Sequence, residues 1–267
     1  MRLTRCFIPA PLSAGAVVML PEAAATHVTR VLRLPTGAAL TLFDGRGGEY
    51  AARLLEIGRH GATARVGEHR AVEREATLRV TLLQCLARAE RMDWIVQKTT
   101  ELGVAAIVPV SGLHSVVQLA AGARERRLAH WRAVAVSACE QCGRNHVPDI
   151  QPLRELDAAC AEADPASLRL LLSPEATVSL PAALAPVTSP GAAAAAATAA
   201  AASSAGTTAA LSVTLLVGPE GGFAAQELDA ARQHGFSPCR LGPRILRAET
   251  APVAALAAIQ AVLGDIR

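Results

Sequence analysis

Leu215-Leu216-Val217-Gly218-Pro219-Glu220-Gly221-Gly222-Phe223 is an apolar run that passes straight into a glycine-rich turn, and a helical period from Ala224 to His234 follows, closed by Gly235. An almost unbroken apolar run of this kind suits a strand covered on both faces in a parallel sheet. The same signature recurs upstream. Leu78 to Cys85 reads as a strand, Met92 to Leu102 as a helix stopped at Gly103, Val104 to Pro109 as a buried strand and Arg124 to Gln141 as a long helix. Leu168 to Ser173 and Leu211 to Val217 supply two more central strands. Strands alternating with helices predict an α/β domain built on a mostly parallel sheet.

Glycines at the carboxyl end of a strand let a ligand approach the backbone, and in open α/β sheets that edge is where ligands bind. Gly218 to Gly222 is therefore read as a pocket wall. The turn matches neither the dinucleotide fingerprint nor the phosphate loop ending in Gly-Lys-Ser/Thr, which excludes the two commonest nucleotide readings. A second loop, Leu241-Gly242-Pro243-Arg244-Ile245-Leu246-Arg247-Ala248-Glu249-Thr250-Ala251, again joins a short strand to a helix. Two such loops at neighbouring strand ends would form one concave site, with the cation of Arg247, the anion of Glu249 and the hydroxyl of Thr250 beside it.

Residues 1–72 read differently. Ala16 to Leu20, Ala39 to Phe43, Glu49 to Ile57 and Ala62 to Glu68 are short strand segments broken at Pro35-Thr36-Gly37 and Asp44 to Gly48, as in a small β-barrel. One helix, Pro21 to Leu32, brings His27, Arg30 and Arg33 together, as a solvated face or as a grip on an anion. This segment holds nine arginines against five carboxylates, whereas the remainder of the 267-residue chain holds 17 basic and 18 acidic residues. Positive charge at one end suits an RNA-gripping module. Only Lys98 among the 26 basic residues is a lysine; a GC-rich coding sequence gives the same bias, so only the positions of the arginines inform.

Aromatic residues make up 3% of the chain, too few for base stacking to dominate any nucleic-acid contact. The six cysteines are irregularly spaced and read as reduced thiols; Cys139 and Cys142 with His146 lack a second ligand pair, so no metal is expected. The start Met1 to Leu12 has no apolar run of signal length and no stretch suits a membrane span, so a cytoplasmic location is expected. An uncharged alanine-rich tract at about 180–210 is read as a mobile insertion in a domain covering 73–267.

Six segments together resemble one family. They are Arg2 to Pro9, His27 to Arg33, Gln97-Lys98-Thr99-Thr100-Glu101-Leu102-Gly103-Val104, Glu140-Gln141-Cys142-Gly143-Arg144, Gly218 to Gly222 and Ile245 to Ala251. The sequence is similar to the RsmE family of ribosomal RNA uridine-N3 methyltransferases, of the SPOUT class, over nearly its whole length. The resemblance implies a PUA-like N-terminal barrel (1–72) that helps hold RNA and a C-terminal domain with a deep trefoil knot that dimerises. It places S-adenosylmethionine among Ser173, Glu175, Gly218, Pro219, Glu220, Gly221, Gly222, Leu241, Gly242, Ile245, Leu246, Arg247 and Thr250. The implied partner is 16S ribosomal RNA or the small subunit. The sequence departs from the family at Arg88-Ala89, where relatives often carry Lys-Gly, and at His114 and Gln118, where basic residues are usual.

Uridine N3 is protonated at neutral pH, so its proton must leave and the anion must be stabilised. Arg247 is the expected stabiliser; Glu249 is expected to accept the proton or else to position its loop, with Glu220 as the alternative acceptor. Arg2, Arg5, Arg30, Arg33, Arg91, Lys98 and Arg144 are expected RNA contacts, with a Lys98–Glu101 pair as the competing reading of the lysine. Two rival readings remain: a non-catalytic ribosome-assembly factor, and a knotted methyltransferase acting on another base or on ribose.

Overall fold

The computed structural model describes residues 4–59, 61–115, 120–188 and 211–266. The chain divides into two compact units, Met1–Glu75 with Val136–Val147, and Ala76–Ala135 with Pro148–Arg267.

In the first unit, β1 (Thr4–Phe7), β2 (Val17–Met19), β3 (Ala39–Phe43), β4 (Glu49–Gly58) and β5 (Gly61–Arg70) form a sheet of order β1-β3-β4-β5-β2. The pairs are antiparallel except β1 with β3, which run parallel. Alternation sets the inside: on β5, Ala62, Ala64 and Val66 are buried while Arg65 between them is exposed. They pack with Leu40, Leu42, Leu54 and Val28 in one core. The expected single helix proves to be α1 (Glu22–Thr26) continued by a wider π turn over His27–Val31, in which Leu32 N–H reaches His27 O at 2.9 Å.

Two sequence expectations change here. Arg5 and Arg144 are 8% and 6% exposed, so neither side chain is presented to RNA. Arg5 pairs with Glu49, donates to Arg144 O at 3.0 Å and Asn145 Oδ1 at 2.7 Å, and stacks over Phe43 at 4.7 Å. Arg144 holds Glu75 at 2.6 Å. A guanidinium out of water keeps its charge only when matched in this way, so both arginines are fixed inside the unit. Burial raises the Glu49 carboxyl, but bonds from Arg5 and Arg74 outweigh it and hold the group below its ordinary range.

The second unit holds β6 (Arg79–Cys85), α2 (Ala89–Glu101), β7 (Ala106–Ser111), α3 (Ala121–Cys142), β8 (Asp149–Ile150), β9 (Arg154–Glu155), α4 (Leu156–Ala161) and β10 (Leu168–Leu172). It continues with α5 (Leu180–Thr188), β11 (Ser212–Val217), α6 (Ala225–Gln233), β12 (Ser237–Cys239) and α7 (Thr250–Leu263). The carboxyl end of α3, from Val136, clusters with the first unit. The sheet runs β12-β10-β11-β6-β7-β8, with β9 also on β7, and every pair is parallel. The near-continuous apolar runs are explained directly: Leu170, Leu171, Leu215, Leu216, Leu82 and Leu83 are all 2% exposed or less.

Register aligns the strand ends. Leu172 pairs with Val217 on one side and with Cys239 on the other, so β10, β11 and β12 finish side by side. The mobile-insertion reading is corrected at its start: Leu180–Thr188 is helical, because Leu180 and Leu184, one turn apart, are buried where α5 packs against α7. Residues 189–210 of that tract lie outside the described residues.

Candidate active site

A cleft of about 630 Å³ opens where β10, β11 and β12 end, within the 300–1,000 Å³ typical of small-molecule sites. The first wall is the turn after β11. Gly222 N–H bonds to Pro219 O at 3.0 Å, and Gly222 sits at φ +72°, a conformation that costs glycine little. A Cβ on Gly221 would lie 3.0 Å from His114 Cβ and 3.3 Å from the His114 carbonyl oxygen, so the turn approaches its neighbour as closely as a bare backbone allows.

The second wall is the long loop after β12. Gly242 turns it at φ +97°, and Arg247 O accepts bonds from Thr250 N–H at 2.9 Å and Ala251 N–H at 3.0 Å, which starts α7. The third wall is Ser173 to Glu175, tied to the strand edge by Ser173 N–H to Cys239 O at 2.9 Å.

Of the residues expected at a cofactor site, the cleft gathers Ser173, Glu175, Gly218, Pro219, Glu220, Gly221, Gly222, Leu241, Gly242, Ile245, Leu246 and Arg247. Thr250 and Glu249 do not line it. The Glu249 carboxylate lies 3.6 Å from Arg91 Nε, and its Oε2 is buried with no hydrogen bond among the described residues. Arg91 does line the cleft, and its Nη1 also bonds Glu220 Oε1 at 2.8 Å. Four arginines, Arg91, Arg240, Arg244 and Arg247, line the walls beside two carboxylates, Glu175 and Glu220, an excess of positive charge that suits an anionic partner. The guanidinium of Arg247 is exposed and has no ion pair among the described residues.

Sequence reasoning missed three residues that shape this site. Phe223 closes over Gly218, where a Cβ would meet its ring at 2.9 Å. His114 backs Gly221. Glu227, 5% exposed, accepts Leu113 N–H and Ala224 N–H, both at 2.8 Å, and so pins the loop carrying His114 to the start of α6. Its spacing, three residues into a helix after a glycine turn, is a capping signal that could have been read. Cys239 on the wall is no ready nucleophile, since burial pushes its thiol up to about 11.

A family model described as an RNA methyltransferase domain matches residues 74–260, and one described as an RNA methyltransferase PUA domain matches residues 20–67. The crystal structure of a ribosomal RNA small subunit methyltransferase E from Neisseria gonorrhoeae, bound to S-adenosyl methionine, is 34% identical and covers all of both chains with a TM-score of 0.82. The chain belongs to this family of RNA methyltransferases. A methyltransferase from Legionella pneumophila, solved with the cofactor SAM, is 33% identical over 99% of this chain and 100% of that one, with a TM-score of 0.87. The ribosomal RNA small subunit methyltransferase E of Buchnera aphidicola from Schizaphis graminum is 28% identical over 99% of this chain and 98% of its own.

For an RNA methyltransferase, the remaining basic residues divide by environment. Arg30 and Arg33 are exposed on and just after the π turn, and Arg33 adopts φ 50°, rare for a side-chain-bearing residue. Lys98 is paired with Glu101 at 2.9 Å, the local ion pair that its spacing allowed. Arg2 lies outside the described residues. Among the described residues no group of His, Cys, Asp and Glu could hold a metal ion, and no helix is long and apolar enough to cross a membrane. Cys139 is buried, with its Sγ 3.5 Å from His146 O.

Proposed function

We propose that this RNA methyltransferase transfers the methyl group of S-adenosylmethionine to N3 of a specific uridine in 16S ribosomal RNA, as free RNA or in the small subunit. The observation that carries the reading is the exposed guanidinium of Arg247, which has no ion pair among the described residues, on the wall of a glycine-cradled cleft. The cleft fits the cofactor in size, in the bare backbone of Gly221 and Gly222 where a side chain would intrude or strain, and in its mixed apolar and polar lining.

The bound cofactor supplies an activated methyl group on sulfur, which leaves alignment and charge control to the protein. Gly218 to Gly222 and Leu241 to Leu246, which line the cleft, would hold it through backbone and apolar side chains. Arg247 stabilises the negative charge that develops on the uracil carbonyls as N3 gives its proton to the Glu220 carboxylate on the cleft wall, since a cation already in place need not reorganise at the moment of reaction. Glu249, which stands off the cleft wall and against Arg91, takes the loop-positioning role. The exposed Arg30 and Arg33 of the PUA domain grip phosphate. We further infer that the C-terminal domain carries the trefoil knot of the SPOUT class and works as a homodimer in the cytoplasm.

The Arg247→Ala variant tests this. Turnover on small-subunit RNA should fall by about two to three orders of magnitude, as for loss of one preorganised donor, while S-adenosylmethionine still binds in a calorimetric titration. An unchanged methylation rate overturns the assignment. Nucleoside analysis by mass spectrometry that finds the methyl group elsewhere than N3 overturns the site.

A further inference from the structure

We propose that Arg91 is a positioning residue that ties the two loops of the cleft to one another, and not a contact for the RNA backbone. Glu220 belongs to the turn after β11 and Glu249 to the end of the loop after β12. Among the described residues no hydrogen bond runs directly between these two loops. Arg91 reaches both: Nη1 lies 2.8 Å from Glu220 Oε1, and Nε lies 3.6 Å from Glu249 Oε2.

The anchor is stiff. Arg91 sits in the first turn of α2, its N–H bonds Arg88 O at 2.9 Å, and the next residue, Met92, is fully buried. α2 packs against α7, which begins at Thr250, directly after Glu249. The guanidinium is therefore referenced to the core, and each loop is referenced to the guanidinium.

A planar fork suits this duty. Its nitrogens point in fixed, different directions, so two carboxylates can be served at once; an ammonium is a single point charge on a flexible stem. The second arm is only partly made. Among the described residues Glu249 Oε2 is buried and receives no hydrogen bond, and an unsatisfied buried acceptor is costly. A short approach of the loop would turn the contact into a charge-assisted bond of about 2.8 Å. Arg91 thus couples the spacing of the two walls to whatever fills the gap between them.

The inference rests on the reading that the cleft holds S-adenosylmethionine. The test uses the full chain with R91M, R91K, E249Q and the R91M/E249Q double variant, in three measurements: calorimetric binding of S-adenosylmethionine, kcat on saturating small-subunit RNA, and RNA affinity as a function of salt. R91M and E249Q should each weaken cofactor binding about two- to fivefold, the range for partly exposed ion pairs, and lower kcat about tenfold through misalignment. The double variant should be no worse than R91M, because both changes break one connection. R91K should fail to restore kcat, and RNA affinity and its salt slope should match the wild type.

The proposal is overturned if R91M leaves cofactor binding intact but lowers the salt slope by about 0.7 to 0.9, the signature of one lost phosphate contact, or if R91K behaves as wild type. Additive losses in the double variant also overturn it. E249Q keeps the test alive should R91M fold poorly. Failure of the wild type to bind S-adenosylmethionine or methylate RNA would refute the functional reading itself, a separate outcome.

Discussion

Replacing Glu227 with glutamine tests whether one buried carboxylate holds the back of the cleft. Its two oxygens each accept a backbone N–H at 2.8 Å, from Leu113 and from Ala224. Glutamine keeps one acceptor oxygen and puts an NH₂ where the other was, so one N–H is met by a second donor. Hydrogen bonds to a charged group contribute about 1.5–3 kcal/mol each, and a stranded donor costs about 1–3 kcal/mol. The Leu113 side is only partly buried, and water recovers some of this. The expected loss is about 2–3 kcal/mol, or roughly 4–12 °C in the unfolding midpoint of a domain of this size. Urea unfolding gives the free energy, and hydrogen exchange should show the Leu113 and Ala224 amides losing protection together. The loop from Gly112 carries His114 against Gly221, so S-adenosylmethionine affinity should fall with stability. A variant within about 0.5 kcal/mol of wild type, with both amides still protected, would refute the reasoning.

Two further outcomes follow from the same geometry and chemistry. Gly221→Ala brings a Cβ to 3.0 Å from His114 Cβ and 3.3 Å from its carbonyl oxygen, so cofactor affinity should drop about tenfold or more while global stability changes by about 1–2 kcal/mol, the cost of modest overpacking; wild-type affinity by calorimetry would show that the turn is not a tight wall. Burial pushes the thiols of Cys6, Cys139 and Cys160 up to about 12 from an ordinary 9.0. Folding thus favours the protonated form, whose stabilisation is complete below pH 9 and is lost as pH rises from about 9 toward 12. Thermal midpoints should fall across that window, and Cys160→Ala should flatten the fall; a midpoint independent of pH between 9 and 11 would count against it.

The parallel sheet was readable because burial on both faces leaves no room for polar alternation, as in Leu168 to Leu172 and Ser212 to Val217. The glycine turn and the loop to Thr250 were readable because a backbone conformation forces the residue type. What escaped depended on contacts distant in sequence. β1 is a mixed stretch, Thr4 to Phe7, held by parallel pairing to β3 and by Glu49 on Arg5, and nothing local marks it. Charge alone cannot tell an arginine facing RNA from one facing a carboxylate, which is why Arg5 and Arg144 looked like phosphate contacts. The π turn differs from an ordinary helix by a single added residue, below the resolution of a hydrophobic period. In α5, two leucines one turn apart were enough to order the start of a tract whose average composition suggested none.

The strand order β12-β10-β11-β6-β7-β8 bears on how the protein is made. β6, ending at Cys85, waits for β11, which begins at Ser212, and β10 waits for both β11 and β12. During synthesis most of the chain must therefore emerge before β11 arrives between β10 and β6, and the two apolar edges that will face it stay open in the meantime. Nascent chains stopped before Ser212 should be strong chaperone clients. Ligand-binding competence emerges only once the loop after β12 has been made, so a product terminated before it has no means of sequestering the methyl donor.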